Sequence, residues 1–592
     1  MKKLNNQSKI ILGLFIITAL AACGKSFLDK PPIGTLSPVI VSSEDGIQGL
    51  LVGAYSLVDG EGASGDGFAS GASNWIFGGV TSDDAYKGSD PSDVADAAPM
   101  EKWGSSLTPT NGAIPQKWKL NFAAIQRCND VINTVKISTS MSDAKKTLVV
   151  AQARFLRAYF HMDAKKIFGN IPYVDETINP TNTAVSNTVD AWPKINDDLK
   201  FAADNLPETW SEIGRANKWA AKSMQAKALM FQKNLPAAYT ILKEVIASGK
   251  TSKGDKYDLN TNYYSNFNPA QKNSKESVFA AQTSVQDGSS VAWGGDPNGN
   301  YGDILNFPYN GGPGACCGFY NPSQDLADAF KTDANGLPLT DTYQNGNHVS
   351  SQYGAAYVGN IDPRIDWTMG RPGVPYLDWG PHPGVDWIRN PQNDGVFSPL
   401  KNVYAASQKG AYTDVGSAYW GPTELVANNV NIIRFSNVLL WAAECAADAG
   451  DLAGALAYVN RVRNRMTNTA GWVYKSSAYN ADVSEYATKT TPADTYKIGL
   501  YTAFADKATA VKAIQLEIRL ELGMEGHRFF DLVRWGIAAS TINTFIAREV
   551  NRPLKKGAVF IAGTHEMMPI PQNEIDNMNA DGTIRLTQNK GY

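Results

Sequence analysis

Glu517-Ile518-Arg519-Leu520-Glu521-Leu522-Gly523-Met524-Glu525-Gly526-His527-Arg528-Phe529-Phe530-Asp531-Leu532-Val533-Arg534-Trp535-Gly536 sets four carboxylates among three guanidiniums. A helical pattern runs from about 508 to 524, so Glu517 and Glu521, four apart, share one face, with Arg528 and Arg534 placed to bridge to them. Two chemistries are compatible with this grouping. A glycosidase needs two carboxylates held roughly 5–10 Å apart across a cleft. A structural network instead uses the same charges to cap and pin the last helix onto a frame. We read the stretch as the second.

Working back from it, helical signals come in pairs. Residues 431–449 and 452–466 turn at Ala449-Gly450-Asp451, and Leu439 to Glu444 with Ala453, Ala455 and Leu456 reads as a tetratricopeptide-like unit whose small Ala positions let helices approach. Residues 189–206, 216–232 and 235–248 form a second set, broken at Lys233-Asn234 and stopped at Gly249. Residues 116–135 and 143–168 form a first pair. In 143–168, Leu148, Ala151, Phe155, Ala158, Met162 and Lys165 follow three- and four-residue steps, Ser142-Asp143 is the N-cap and Gly169 the stop. Between about 250 and 430 helical periodicity nearly vanishes among Gly, Pro, Asn, Asp and aromatics. A loop that long is implausible inside a compact domain, so the interval predicts a packed subdomain of short elements and turns. The fold class is therefore mainly α. A tetratricopeptide-like scaffold over about 105–250 and 430–592 carries a loop-rich subdomain over about 251–429, with a smaller insertion over 60–104.

The composition excludes several functions. The chain has 592 residues, 43% hydrophobic and 19% charged, with a net charge of −3. It has no basic stripe for phosphates, so nucleic acid is not an expected partner. Five Cys and five scattered His give no CxxC, HExxH or zinc set, so no metal ligands are assigned. Cys316-Cys317, in a Gly-rich turn, reads as a pair of reduced or buried thiols. Asp296-x-Asn298-x-Asn300 begins like an EF-hand loop but has Tyr301 at the sixth and Phe307 at the twelfth position, so that motif is rejected. An irregular structural Ca²⁺ is the one cofactor left open.

Lys2, Lys3 and Lys9 precede an uncharged run from Ile10 to Ala22, too short for a bilayer-spanning helix of roughly 20 residues. Leu20-Ala21-Ala22-Cys23 ends it in the pattern of a bacterial lipobox. Residues 1–22 are thus predicted to be a lipoprotein signal peptide, with Cys23 the lipid-bearing first residue of the mature chain. Each buried acyl CH₂ adds ~0.8 kcal/mol, so several chains anchor firmly.

Several segments together resemble one family, the SusD/RagB outer-membrane nutrient-binding lipoproteins of Bacteroidetes. They are Cys23-x3-Phe27-Leu28-Asp29-x-Pro31; Ala153 to Phe160 with Phe168-Gly169-Asn170-Ile171-Pro172; Asn321-Pro322-Ser323; Asp362-Pro363-Arg364; Arg434 to Glu444 and Asn460 to Arg463; the 517–536 stretch; and Pro569-Ile570-Pro571 with Gln588 to Tyr592. Ile518 and Lys590 are small departures. The resemblance implies one SusD-like domain over 23–592, on the outer leaflet of the outer membrane and facing the exterior. It implies a partner, a SusC-like TonB-dependent transporter, to which glycan or, alternatively, peptide or another nutrient is delivered. It implies binding and not catalysis, against the rival reading of a surface glycoside hydrolase.

The aromatics between 285 and 425 sit among Gly, Pro, Asn and Asp. Flat rings suit the C–H faces of sugars, and amides or carboxylates at the rim suit the hydroxyls. The expected ligand-binding residues are Trp293, Trp379 and Trp387, each beside turn-forming residues. Trp75, Asp83 and Tyr86 are added from the 60–104 insertion, a region from which family members often draw contacts.

Overall fold

The computed structural model describes residues 38–60, 67–179, 184–289, 298–314, 316–350, 355–414, 425–476 and 478–592. The predicted signal peptide and Cys23 lie outside them. The principal helices are α1 (Glu44–Tyr55), α2 (Ala113–Ile137), α3 (Asp143–Phe168), α4 (Trp192–Asn205), α5 (Lys218–Phe231), α6 (Leu235–Ser248), α7 (Phe435–Asp448), α8 (Leu452–Asn464), α9 (Lys507–Leu522), α10 (Arg528–Trp535) and α11 (Ala538–Arg548). Each packs on its neighbour in turn from α2 to α7, and α7 and α8 then pack together against α9.

The ends of these helices follow local chemistry. Ser142 accepts the Lys145 N–H at the start of α3, Asn234 caps α6 and Asp451 caps α8. At Gly169 φ is +67°, and a β-carbon there would fall 1.8 Å from Met567 Sδ, so the stop residue also admits the C-terminal segment. The face of α3 bearing Ala151, Phe155, Ala158 and Met162 is buried, each large side chain contributing ~1.5–3 kcal/mol by leaving water. Between the paired helices α7 and α8, Ala442, Ala446 and Ala455 are fully buried.

One predicted boundary is corrected. Residues 430–434 are not the start of a helix but a strand, β2 (Val430–Arg434), antiparallel to β1 (Ser277–Ala281). Val430, Ile432 and Ile433 are β-branched and suit a pleated surface. The helix then begins at Phe435, with Asn437 Oδ1 accepting the Arg434 N–H at 2.9 Å. Between these strands the described chain runs through single-turn helices and two-residue ladders such as Lys331–Thr332 with Asn360–Ile361. Among the described residues no helix is long and apolar enough to cross a membrane.

Candidate functional site

The 517–536 carboxylates are consumed inside the molecule. Glu517 and Glu521 are fully buried on α9. Glu517 meets Arg364 at 2.5 Å and Arg463 at 2.8 Å; Glu521 meets Arg434 at 2.6 Å and Arg364 at 3.2 Å, and also pairs with Arg465. Arg434 extends the network to Glu276 and Glu525 at 2.9 Å each. Burial would raise the Glu521 carboxyl, but three guanidiniums hold it well below the usual carboxylate range. The predicted network is present, but its bridging partners are Arg364, Arg434, Arg463 and Arg465, not Arg528 and Arg534. Those two pair with Asp83 and with Glu444 and Asp531. No carboxylate of this group is left as a free acid or base beside an open cleft.

Three expected ligand residues also belong to the frame. Trp75 is 1% exposed and donates its indole N–H to the carbonyls of Phe68 and Gly302, both at 3.1 Å. Asp83 is buried between Arg519 and Arg528; burial would raise its pKa, and the two guanidiniums hold it well below the usual range. Tyr86 stacks on Phe545, donates to Glu549 at 3.0 Å and has the Arg552 guanidinium 3.9 Å over its ring. None of the three offers a face to solvent, which corrects their assignment as ligand contacts. A Trp beside turn residues and an Asp pair look alike in sequence whether they face inward or outward.

Trp379 and Trp387 are different. Both keep part of their surface and both border the turn 374–382, where Tyr376 and Gly380 exchange a backbone hydrogen bond. Trp379 donates Nε1–H to the Tyr404 carbonyl at 2.8 Å and meets the Tyr404 ring edge-on at 5.7 Å. Trp387 meets Tyr376 edge-on at 5.4 Å and His382 at 5.1 Å. Gly384 N–H donates to His382 Nδ1, so the proton sits on Nε2 and is donated to Ser398 Oγ at 2.8 Å. Burial pushes the His382 pKa down to about 3, so the ring stays neutral. Gly311 and Gly312 lie against the Trp387 indole, and a β-carbon at Gly312 would come within 2.6 Å of its six-membered ring. These contacts fix both indoles before any ligand arrives, which lowers the ordering cost of binding.

Around Trp387 stands a polar rim. Tyr309 N–H donates to the Trp387 carbonyl at 2.9 Å. Arg389 lies 5.4 Å from the Tyr309 ring centre and pairs with Asp93 at 2.5 Å. Asn310 and Asp386 are exposed. Arg389 and Asn310 were missed in sequence because they carry no motif; their closeness in sequence to Trp387 and Tyr309 is the one signal that could have found them. Trp293 lies outside the described residues. Cys316 and Cys317, in the same loop as Gly311 and Gly312, are joined in a disulfide, which corrects the expectation of reduced thiols. Their adjacency in a tight turn brings the two sulfurs into bonding reach.

A second feature escaped the sequence reading. Asn300, Asn402, Asn428, Asn429 and Asn431 line a cavity of about 40 Å³ beside Lys401 and Glu525. Asn428 gives its amide N–H groups to the Phe267 and Val403 carbonyls, leaving its buried Oδ1 without a partner. The run Asn428-Asn429-x-Asn431 reads in sequence only as a turn. Among the described residues no group of three or more His, Cys, Asp or Glu is placed to hold a metal ion.

Residues 241–592 match the SusD family, and residues 26–230 match a family described as starch-binding and associating with the outer membrane. The chain belongs to the SusD family. Its members bind and do not catalyse, in keeping with the spent carboxylates of α9. Among relatives, SusD-like protein P25 of Formosa agariphila is 23% identical over 96% of both chains. A laminarin-binding SusD-like protein superposes with a TM-score of 0.65 at 20% identity, covering 93% of this chain and 100% of its own. Surface glycan-binding protein A of Bacteroides thetaiotaomicron, solved with laminarihexaose, gives 0.64 at 22% identity, covering 92% and 99%. At these identities the likeness fixes the SusD-like helical fold.

Proposed function

We propose that this SusD-family protein captures an oligosaccharide on the face bearing Trp379 and Trp387 and passes it to a SusC-like TonB-dependent transporter. The observation that carries the reading is the pair of partly exposed indoles, each immobilised by its own contacts, with Tyr309, Asn310, Asp386 and Arg389 forming a polar rim around Trp387. Sugar C–H faces pack on such rings while the rim addresses hydroxyls. Relatives named for laminarin and glycan binding support the ligand class. Acylated Cys23 holds the protein on the outer membrane, facing the exterior. Tethered beside its transporter it works at high effective concentration, so modest affinity suffices.

Affinity electrophoresis of the mature protein against a panel of soluble polysaccharides, with laminarin first, tests the ligand. Retardation by at least one glycan and none by a peptide library is the expected result. Binding to peptides alone would overturn it in favour of the peptide reading. For the anchor, Cys23→Ser is expected to move the protein from the membrane to the soluble fraction.

A further inference from the structure

We infer that the Cys316–Cys317 disulfide is a positioning element for Trp387. It holds a glycine loop against the indole, and its opening by a dithiol frees the ring and weakens glycan capture; the last step rests on the function proposed above.

The loop begins and ends on the Trp387 face. At its start Tyr309 N–H donates to the Trp387 carbonyl at 2.9 Å. At its end Gly318 N–H donates to the Phe307 carbonyl at 2.9 Å and Phe319 N–H to the Leu305 carbonyl at 3.2 Å. Between these anchors Gly311, Gly312 and Gly314 have φ of +154°, +64° and +79°. A β-carbon would fall 2.7 Å from Trp387 Nε1 at Gly311, 2.6 Å from the six-membered ring of the indole at Gly312 and 2.9 Å from the Phe307 ring at Gly314. Bare backbone is thus wedged against both rings. Glycine gives up more backbone freedom on ordering than any other residue, and these three have no side chains with which to anchor the loop. A bond between adjacent side chains closes a ring through their own backbone. It leaves the turn at Cys316–Cys317 few conformations and so restrains the glycines just before it.

Cys317 is 5% exposed, whereas Cys316 keeps part of its surface, so a dithiol thiolate attacks the Cys316 sulfur. The S–S bond breaks, and Cys317 leaves as a thiolate and takes up a proton. The second thiol of the reagent then displaces Cys316, which leaves as its thiol, and the reagent ends as a cyclic disulfide. Two electrons and two protons have passed to the protein. Cys128 and Cys445 are buried free thiols, so among the described residues this is the one bond a dithiol can open.

Denaturing alkylation of the mature protein without reductant is expected to label Cys128 and Cys445 and to spare Cys316 and Cys317; labelling of the pair overturns the proposal. On the folded protein, dithiothreitol is expected to shift the tryptophan emission at unchanged far-ultraviolet circular dichroism. Re-oxidation should restore the emission, and Trp387→Phe should lack the shift. No shift, or the same shift in Trp387→Phe, overturns the positioning role with no glycan present. With the best-retained glycan, reduction is expected to raise Kd about fivefold, the cost of ordering a side chain at binding, with recovery on re-oxidation. The double variant Cys316→Ser, Cys317→Ser is expected to start at the reduced value and to ignore the dithiol; if it does not fold, the dithiol arm on wild type decides. Unchanged affinity on reduction of a protein that binds glycan overturns the link to capture. Retention of no glycan at all overturns the function proposed above, and the emission arm then decides the positioning role alone.

Discussion

Asp83 and Arg528, 445 positions apart, meet in a two-pronged ion pair, Nε to Oδ1 at 2.8 Å and Nη2 to Oδ2 at 3.0 Å. Arg519, nine residues earlier in the chain, closes on the same carboxylate at 3.1 Å and on Asp84 at 2.8 Å. The early insertion is thereby bolted to the C-terminal charged stretch. It is part of the frame that holds the loop-borne indoles still, and not itself a free loop.

Asp83→Asn is therefore expected to destabilise the fold by about 3–5 kcal/mol, because it leaves two guanidiniums buried beside a neutral group. The Asp83 carboxyl lies well below its ordinary 3.8. Its contribution is complete above that ordinary value and is lost as pH falls through the lower folded one. Wild type should thus lose stability below about pH 4 more steeply than Asp83→Asn. Urea unfolding from pH 7 to pH 2.5 checks both the offset and the slopes.

Trp379→Ala and Trp387→Ala are each expected to weaken glycan binding by about 2 kcal/mol, a ~30-fold rise in Kd. Both rings already hold surface in the free protein, so the melting temperature should fall by only a few degrees. Titration calorimetry against the best-retained glycan measures the first and calorimetric melting the second. Unchanged affinity in both variants would remove this face as the site.

Gly312→Ala addresses the same face without deleting a ring. Gly312 has φ +64°, and an added β-carbon would lie 2.6 Å from the Trp387 indole. Left-handed backbone costs a non-glycine residue roughly 1–2 kcal/mol. The indole must also move, and that displacement should cost affinity as well as stability. Intrinsic tryptophan fluorescence should shift in this variant before any unfolding.

The helical frame was readable in sequence because its signals are local. Ser142, Gly169, Asn234 and Asp451 cap or stop helices through atoms a few residues away. The role of the 517–536 stretch was readable too, since so many opposed charges on one face demand pairing. Its partners were not. Arg364, Arg434, Arg463 and Arg465 reach α9 from segments 54 to 157 residues distant in the chain, as in the Arg463–Glu517 and Arg364–Glu521 pairs. The same blindness misassigned Trp75, Asp83 and Tyr86, whose inward orientation is set by Gly302, Arg519, Arg528 and Phe545, far along the chain. Trp379 and Trp387 were singled out by flanking turns, which happen to keep a ring near the surface.

Glu521→Gln separates binding from hydrolysis. Glu521 stands among Arg364, Arg434 and Arg465 with no exposed surface, so its loss is expected to cost about 3–5 kcal/mol of stability. Were it a catalytic carboxylate, the variant would instead abolish turnover while leaving the fold near wild-type stability. The expected outcome is a lowered urea midpoint, glycan affinity within about twofold of wild type wherever the variant remains folded, and no new reducing ends from polysaccharide with either protein. Affinity survives because Trp379 and Trp387 are fixed by Tyr404, Tyr376 and His382, contacts that do not pass through α9. Release of reducing ends by wild type, abolished in a stably folded Glu521→Gln, would overturn the structural assignment of this network.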